Sequence, residues 1–465
     1  MSVSSLPPGQ GGAGSLFSRI GLRGRLGREI LRAAIGSAGV RLIGTAMAFG
    51  VGVQLARYLG PEQYGLYGTI MALVALLAVP CQFGFTQLAI RDLAVHSSRT
   101  DMPSFKGSIV GLSAGVIAAT LLTLIVTSAV LYWVPLLPTE RSIYAWLLLI
   151  VPIYALISFG TGALRGMGNV VLATSFDALL RPALFAGALF LVMHSVGTLS
   201  TAHALGLNML TAAMTMVLMV LAIIRYMPSH LGDQAGIYRP RTWLAASVPM
   251  FSTELLRTLD AQVGIMLIGF NAIPAETGYF RVAAATALFF GLPITIINLI
   301  VAPYVARFYA LGEKRRLQLL MAGATIASTV GTGSLVAVLF VAGAPLVVAV
   351  FGSEYREAWT PIVILALAHL ASALCGSNQA LLNMAHEEGS VTIGFLLGLA
   401  FTIVLSLVLV DRYGASGVAI AMLAGSVSRS LFMSWRAKAR LDVQPGLLGT
   451  LALLRSAITG RGVTS

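Results

Sequence analysis

Eight ionisable residues stand inside otherwise apolar stretches of this sequence: Arg41, Asp177, Arg181, Glu254, Arg257, Asp260, Arg281 and Arg429. Glu254, Arg257 and Asp260 are spaced three apart, which on a helix puts neighbours on adjoining parts of one face. Asp177 and Arg181 are four apart, a spacing that favours an ion pair. A charge in hydrocarbon is costly, so such groups should face a bundle interior or a wet cavity. Five arginines against three carboxylates leave +2. That balance leans away from cationic cargo and suits an anion, since arginine presents a planar fork of donors to phosphate oxygens. Arg41, Arg181, Arg257 and Arg429 are the candidate substrate-binding cations. Asp177, Glu254 and Asp260 are the candidate charge or coupling network, because intramembrane carboxylates can also hold H⁺ or Na⁺. Competing roles are a structural ion pair for Asp177–Arg181, an interhelical network for Arg41 and the 254/257/260 set, and snorkelling to the interface for Arg281 and Arg429.

Helix geometry sharpens the set. Glu254 and Asp260 lie about 120° apart around a helix, with Arg257 between them. One guanidinium cannot serve both fully, so the stripe is net −1. It needs a further cation: Arg41, a coupling ion or a proton. Arg41 lies roughly 12 Å into its span and Glu254 roughly 16 Å into its own, from the same side. Gln54, Gln82, Asn208, Gln262 and Asn298 are polar enough for sugar hydroxyls, and equally suited to interhelical hydrogen bonds.

The elements that must position these residues are transmembrane helices. Of 465 residues, 57% are hydrophobic and 10% charged, and the mean hydropathy is +0.88. Soluble chains carry about 25% charged residues. Twelve stretches reach the length a bilayer needs: 33–58, 66–90, 108–133, 143–164, 170–194, 201–225, 243–270, 278–306, 317–341, 358–385, 389–410 and 414–435. Pro80, Gln82 and Gly84 should interrupt the second, and Pro293 and Pro303 should kink the eighth. Residues 342–357 read as a short interfacial helix between the ninth and tenth.

With the N-terminus inside, the inner segments hold 21 Lys and Arg and the outer ones 4, among them Arg57; the other five lie in spans. This asymmetry places both termini in the cytoplasm. It also accounts for the net charge of +13 without nucleic-acid binding, for which there is no contiguous soluble basic domain. The organisation expected is a disordered basic lead (1–32), a lobe of six spans (33–225), a cytoplasmic linker (226–242), a second lobe (243–435) and a cytoplasmic tail (436–465). The lead lacks a short apolar core followed by a small-residue cleavage site, so the first span should be uncleaved.

Enzyme chemistry finds little support. His96, His194, His203, His230, His369 and His386 are scattered, with no HExxH or nucleophile motif. Cys81 and Cys375 sit singly in apolar spans, with neither disulfide nor metal spacing. There is no Walker motif and no cofactor signature. A membrane polymerase or ligase would need a larger outer segment than any present.

The two halves echo each other. Pro61-Glu-Gln-Tyr-Gly65-Leu-Tyr67 follows the first span and Pro274-Ala-Glu-Thr-Gly278-Tyr-Phe280 the seventh, at offset 213. That offset also maps Arg41 onto Glu254. Leu164-Arg-Gly-Met167 matches Leu381-Leu-Asn-Met384, and Gly197–Ala202 matches Gly414–Ala419, both at 217. Proline presets a turn and glycine permits left-handed or close backbone geometry, so the first motif is at least a tight helix connection. Six helices per half give equal orientation and an axis along the membrane normal.

Arg57-Tyr-Leu-Gly60-Pro61-Glu62-Gln-Tyr64-Gly65-Leu-Tyr67 resembles the first-loop signature of bacterial polysaccharide and O-antigen flippases. Ala163–Gly166, Ala275–Tyr279 and Phe351–Tyr355 carry softer likenesses. The resemblance covers about residues 30–436. It extends to the multidrug/oligosaccharidyl-lipid/polysaccharide (MOP) exporter superfamily, and implies an all-α polytopic membrane protein of MATE/MOP-like fold. In such a fold two six-helix lobes flank a central cavity. It further implies a cargo of undecaprenyl-diphosphate-linked oligosaccharide, moved from the inner to the outer leaflet of the cytoplasmic membrane for O-antigen or exopolysaccharide synthesis. Polysaccharide polymerase or export machinery are the partners it suggests. Lipid II transport and ion-coupled multidrug antiport are the alternatives on the same fold.

Overall fold

The computed structural model describes residues 25–133, 141–227, 235–271 and 274–458, with side chains between residues 39 and 453 except Arg41, 141–144 and 448. Residues 1–24, most of the expected basic lead, lie outside the description, as does the Arg41 side chain. Every regular element among the described residues is helical. They are α1 (Arg25–Gln82), α2 (Phe85–Ser98), α3 (Met102–Trp133), α4 (Arg141–Gly166), α5 (Val170–Val196, with a π turn at Phe176–Leu180), α6 (Thr201–Tyr226), α7 (Pro240–Phe270), α8 (Pro274–Ala310), α9 (Lys314–Phe351), α10 (Trp359–Cys375), α11 (Asn378–Met384), α12 (Glu388–Leu441) and α13 (Gly446–Ile458).

Nine helical stretches among the described residues are long and apolar enough to cross a membrane. Two of them double back. α1 reverses at Gly60 (φ 72°) and α12 at Gly414 (φ 51°), a left-handed backbone that glycine adopts without Cβ strain. The arms of α12 then pack through small residues, Gly398 against Gly425 and Gly425 against Thr402. α7 is missing from the nine because its charges dilute its hydropathy. Its 31 residues make about 46 Å of helix, ample for a crossing. The twelve expected crossings are therefore present, as α1–α6 and α7–α12.

The expected break in the second span falls at Phe83 and Gly84 (φ 43° and 75°), where α2 departs. α8 runs through Pro293 without leaving helical geometry. A neighbouring helix supplies a donor nearby: the Thr332 hydroxyl of α9 bonds the Phe290 carbonyl at 3.1 Å. Residues 342–357 form the expected short helical segment after Gly343 (φ 64°), ending in a 3₁₀ turn at Ser353–Ala358. In the linker, Ile237 N–H donates to the Pro103 carbonyl at 3.0 Å and a Cβ on Gly107 would overlap the Ile237 carbonyl. The tail contains α13, clasped to α9 by Gln318, whose amide donates to Gln444 O at 2.7 Å and accepts from Gln444 N at 2.8 Å.

One buried cluster joins the two lobes at the Gly60 end, from Leu55, Tyr64, Tyr67 and Ile70 to Phe280, Phe351, Tyr355 and Ile362. At the opposite end Trp243, at the start of α7, packs with Phe85, Phe105, Leu112 and Phe159 of the first lobe. α7 thus begins against the first lobe and ends between the two. Outward faces such as Leu121, Leu122 and Ile125 of α3 are exposed and apolar, as a lipid-facing surface requires.

Candidate functional site

A cavity of about 470 Å³ opens between the lobes, just inside the Gly60 end. Both arms of α1 line it with Val51, Leu55, Tyr64, Tyr67 and Met71; Tyr154, Arg181, Phe185 and Asn208 come from α4–α6. Gln262 and Ile265 of α7 and Arg281 and Leu288 of α8 complete the wall. Among the described residues no carboxylate lines it. Arg181 pairs with Asp177 at 3.0 Å and lies 4.8 Å from the centroid of the Tyr154 ring. The Tyr154 hydroxyl donates to Asn208 Oδ1 at 2.9 Å, and Asn208 Nδ2 donates to the Tyr67 hydroxyl at 3.0 Å. Three crossings are thereby tied into one polar wall.

Arg281 is the second cation of this cavity. Its guanidinium stands 5.3 Å from the rings of both Tyr64 and Tyr67, a cation–π arrangement. Its Nη1 reaches the Gly68 carbonyl at 3.4 Å, and its Nε is buried without a hydrogen-bond partner. Among the described residues no carboxylate is ion-paired with it.

The repeat motifs seal the end beyond the cavity. A Cβ on Gly65 would overlap the Pro274 carbonyl oxygen, and one on Gly278 would overlap that of Pro61. Each glycine thus meets the proline of the other repeat, the reciprocal contact expected at a twofold axis. Gln63 and Glu276 repeat a second interaction. Gln63 Oε1 accepts from the Thr201 amide at 3.1 Å, and Glu276 Oε2 from the Ala415 amide at 2.8 Å. The structural offset there is 214, where the sequence match gave 217. α12 resumes directly after Gly414, whereas α6 begins only at Thr201, four residues beyond Gly197. Arg57 is a further clasp. Its Nε donates to Val350 O at 2.8 Å and its Nη2 to Ala349 O at 2.5 Å, while Tyr355 O–H donates to Ala56 O at 3.0 Å. Tyr355 in turn meets Tyr64 and Tyr279 edge-on, at centroid separations of 6.5 and 6.2 Å. Of the signature residues, Gly60 supplies the turn, Pro61 and Gly65 the seal, and Tyr64 the cavity wall; Glu62 is exposed.

The remaining charges are placed as follows. Arg257 Nη2 pairs with Glu254 at 3.1 Å, with the arginine 67% exposed. It lies four residues before Ala261, on the cavity-facing stripe of α7 but outside the cavity lining. An exposed ion pair at such depth requires water, so the wet wall of α7 continues toward the opposite end. Arg429 does not line the cavity. It crosses from α12 to Asp260 of α7 at 2.6 Å and stacks 4.7 Å from the Phe395 ring. Arg429 thus supplies a cation to the α7 stripe at Asp260; the Arg41 side chain, the cation expected from the sequence, lies outside the described residues. Of the amides, Asn208 and Gln262 line the cavity. Gln82 accepts from Thr86 at 3.1 Å, and Gln54 Oε1 and Asn298 Oδ1 are buried without partners. Sequence reasoning missed Arg281, Tyr67 and Tyr154 as cavity groups. Offset 213 pointed to Arg281, since it maps onto Gly68, the residue it touches.

Twelve crossings among the described residues, in two pseudo-equivalent lobes with a cationic and aromatic cavity at their interface, make the architecture of a membrane transporter. The chain belongs to the polysaccharide biosynthesis protein family, whose model matches residues 30–309. No curated protein sequence matches it. Its fold is that of the MOP superfamily. It superimposes on the lipid II flippase MurJ in an inward closed conformation with a TM-score of 0.69, at 15% identity over 93% of this chain and 94% of that one. It also superimposes on an inward-facing multidrug resistance MATE transporter, with a TM-score of 0.70 at 13% identity over 93% and 100%. A third match is a MOP superfamily transporter from Pyrococcus furiosus whose binding pocket is described as having reverse polarity (TM-score 0.57, 14% identity, 88% and 96%).

Proposed function

We propose that the protein is a flippase that carries an undecaprenyl-diphosphate-linked oligosaccharide from the inner to the outer leaflet of the bacterial cytoplasmic membrane, by rocking of its lobes. The observation that carries this reading is the cavity lining: Arg181 and Arg281 with Tyr64, Tyr67, Tyr154, Asn208 and Gln262, and no carboxylate among the described residues. Guanidinium groups suit a diphosphate. Tyrosine faces and amides suit sugar rings and hydroxyls, and the lipid tail can trail in the bilayer. Membership of a polysaccharide biosynthesis family supports the same cargo class.

In this reading both termini are cytoplasmic and the Gly60 end faces outward, so the sealed end is the outer one. O-antigen and exopolysaccharide synthesis are the processes served, with polymerase or export machinery as partners. Coupling to H⁺ or Na⁺ would act at Glu254 or Asp260, in competition with the arginine each already holds.

The test is transport in proteoliposomes of a fluorescent polyprenyl-diphosphate oligosaccharide, followed by loss of signal to an outside lectin or quencher. Arg181→Gln should slow transport at least tenfold at normal insertion. Unchanged rates in Arg181→Gln and Arg281→Gln together would sink the reading. Preference for a peptidyl disaccharide headgroup would favour lipid II, the cargo that MurJ is named for. Transport of organic cations alone would favour ion-coupled multidrug antiport; the MATE neighbour is named for multidrug resistance.

A further inference from the structure

We propose that Arg281 is a ligand-operated tie between the lobes: it holds the outer seal while the cavity is empty and releases it when a diphosphate recruits its guanidinium. The inference rests on the reading of the cargo as a polyprenyl diphosphate.

Arg281 belongs to α8 of the second lobe, yet the aromatic rings and the carbonyl that its guanidinium meets belong to α1 of the first. Its guanidinium sits 5.3 Å from the Tyr64 and Tyr67 rings and reaches Gly68 O at 3.4 Å. The slot exists because residue 68 has no side chain; a Cβ there would stand 2.7 Å from Arg281 Cδ. These contacts are cross-lobe, and they adjoin the seal directly. Tyr64 meets Tyr355 on its other side, and Gly65 abuts Pro274.

The tie is also incompletely satisfied. The hydrogen bond to Gly68 is long and Nε has no partner. A phosphate offers that fork two charged acceptors, which aromatic faces and one distant carbonyl do not match. An anion in the cavity therefore competes for the same donors that hold α8 to α1. A ligand shifts a two-state equilibrium only through differential affinity for the two states, and here the difference is the contact Arg281 must give up. Arg181 is the contrast. Its partners, Asp177 and Tyr154, lie in its own lobe, so it can bind the anion without touching the seal.

The experiment uses the full chain in nanodiscs, with Cys81→Ala and Cys375→Ala, and spin labels at Glu62→Cys and Glu357→Cys. Both label sites are exposed, at the Gly60 end on opposite lobes. The probe is farnesyl diphosphate, with farnesol as the uncharged control. In the parent, farnesyl diphosphate should lengthen the 62–357 distance and farnesol should not. Arg281→Gln should lengthen it without ligand, abolish the response and raise the dissociation constant at least tenfold. Gly68→Ala should reproduce the ligand-free lengthening with the charge intact. Arg181→Gln should weaken binding yet keep the parental ligand-free distance. Parental ligand-free distances in both Arg281→Gln and Gly68→Ala overturn the tie, as does a ligand response surviving in Arg281→Gln. A parent that binds farnesyl diphosphate but does not move overturns the tie alone. A parent that does not bind it overturns the cargo reading, and the trigger with it.

Discussion

Among single residues, Asp260 and Arg429 form the ion pair that joins α7 to α12, across 169 positions of the chain. The pair is about a quarter exposed, so removing either partner leaves a charge in poor solvent. Asp260→Asn and Arg429→Gln should each cost about 2–3 kcal/mol, and the double variant less than their sum, a coupling of roughly 1–2 kcal/mol. Thermal unfolding in detergent as a double-mutant cycle measures this, and additivity would show the two do not interact. Tyr67→Phe removes the acceptor of Asn208 Nδ2 from a buried site and should cost about 1 kcal/mol.

At the scale of elements, the twelve crossings were legible because apolar length is a strong signal, and the Pro/Gly motifs because turns have residue requirements. The sequence could not separate the two uses of glycine in one motif. Gly60 is there for its positive φ, Gly65 for its missing side chain. The two differ in a testable way. Gly60→Ala should destabilise by about 1 kcal/mol through backbone strain, with the seal intact. Gly65→Ala and Gly278→Ala place a Cβ on a backbone carbonyl of the other lobe and should push the seal apart, read as a lengthened Glu62–Glu357 label distance. The turn before α3 adds a pH dependence. The hydroxyl of Ser104, and after it the Ser104 amide, hold the Asp101 carboxyl below its ordinary 3.8, with the amide N–H at 3.2 Å from Oδ1. Because the folded value is the lower one, this contribution is present above pH 3.8 and fades as pH falls through the folded value. Asp101→Ala should therefore lower the melting temperature at pH 7, and the gap to the parent should narrow as the pH falls below 3.8.

At the scale of the whole molecule, the weak repeat proved more informative than any motif alone. Two loops related by offset 213 implied an axis, and residues near an axis must meet their own equivalents. Gly65 on Pro274, Gly278 on Pro61 and Arg281 on Gly68 do so. The sequence showed the axis but not which end of the lobes was shut, because closure rests on contacts between residues far apart in the chain, which the repeat does not order. Arg57 makes the sharpest test of the seal as a whole. Counted from sequence it is only a loop cation, yet it donates twice to carbonyls of the other lobe. Hydrogen bonds from a charged donor contribute roughly 1.5–3 kcal/mol each when buried. Arg57 is exposed, so a total near 1.5 kcal/mol is the working figure, which is about tenfold in the closed-to-open ratio. A cysteine at Gln262, on the cavity wall, reports that ratio through its reaction with a membrane-impermeant thiol reagent added outside. In the cysteine-free background Arg57→Ala should raise the labelling rate about tenfold, and Arg57→Lys, which keeps the charge but loses the fork, should fall between. Equal rates in all three would mean that the glycine–proline contacts close this end unaided and that Arg57 only decorates it.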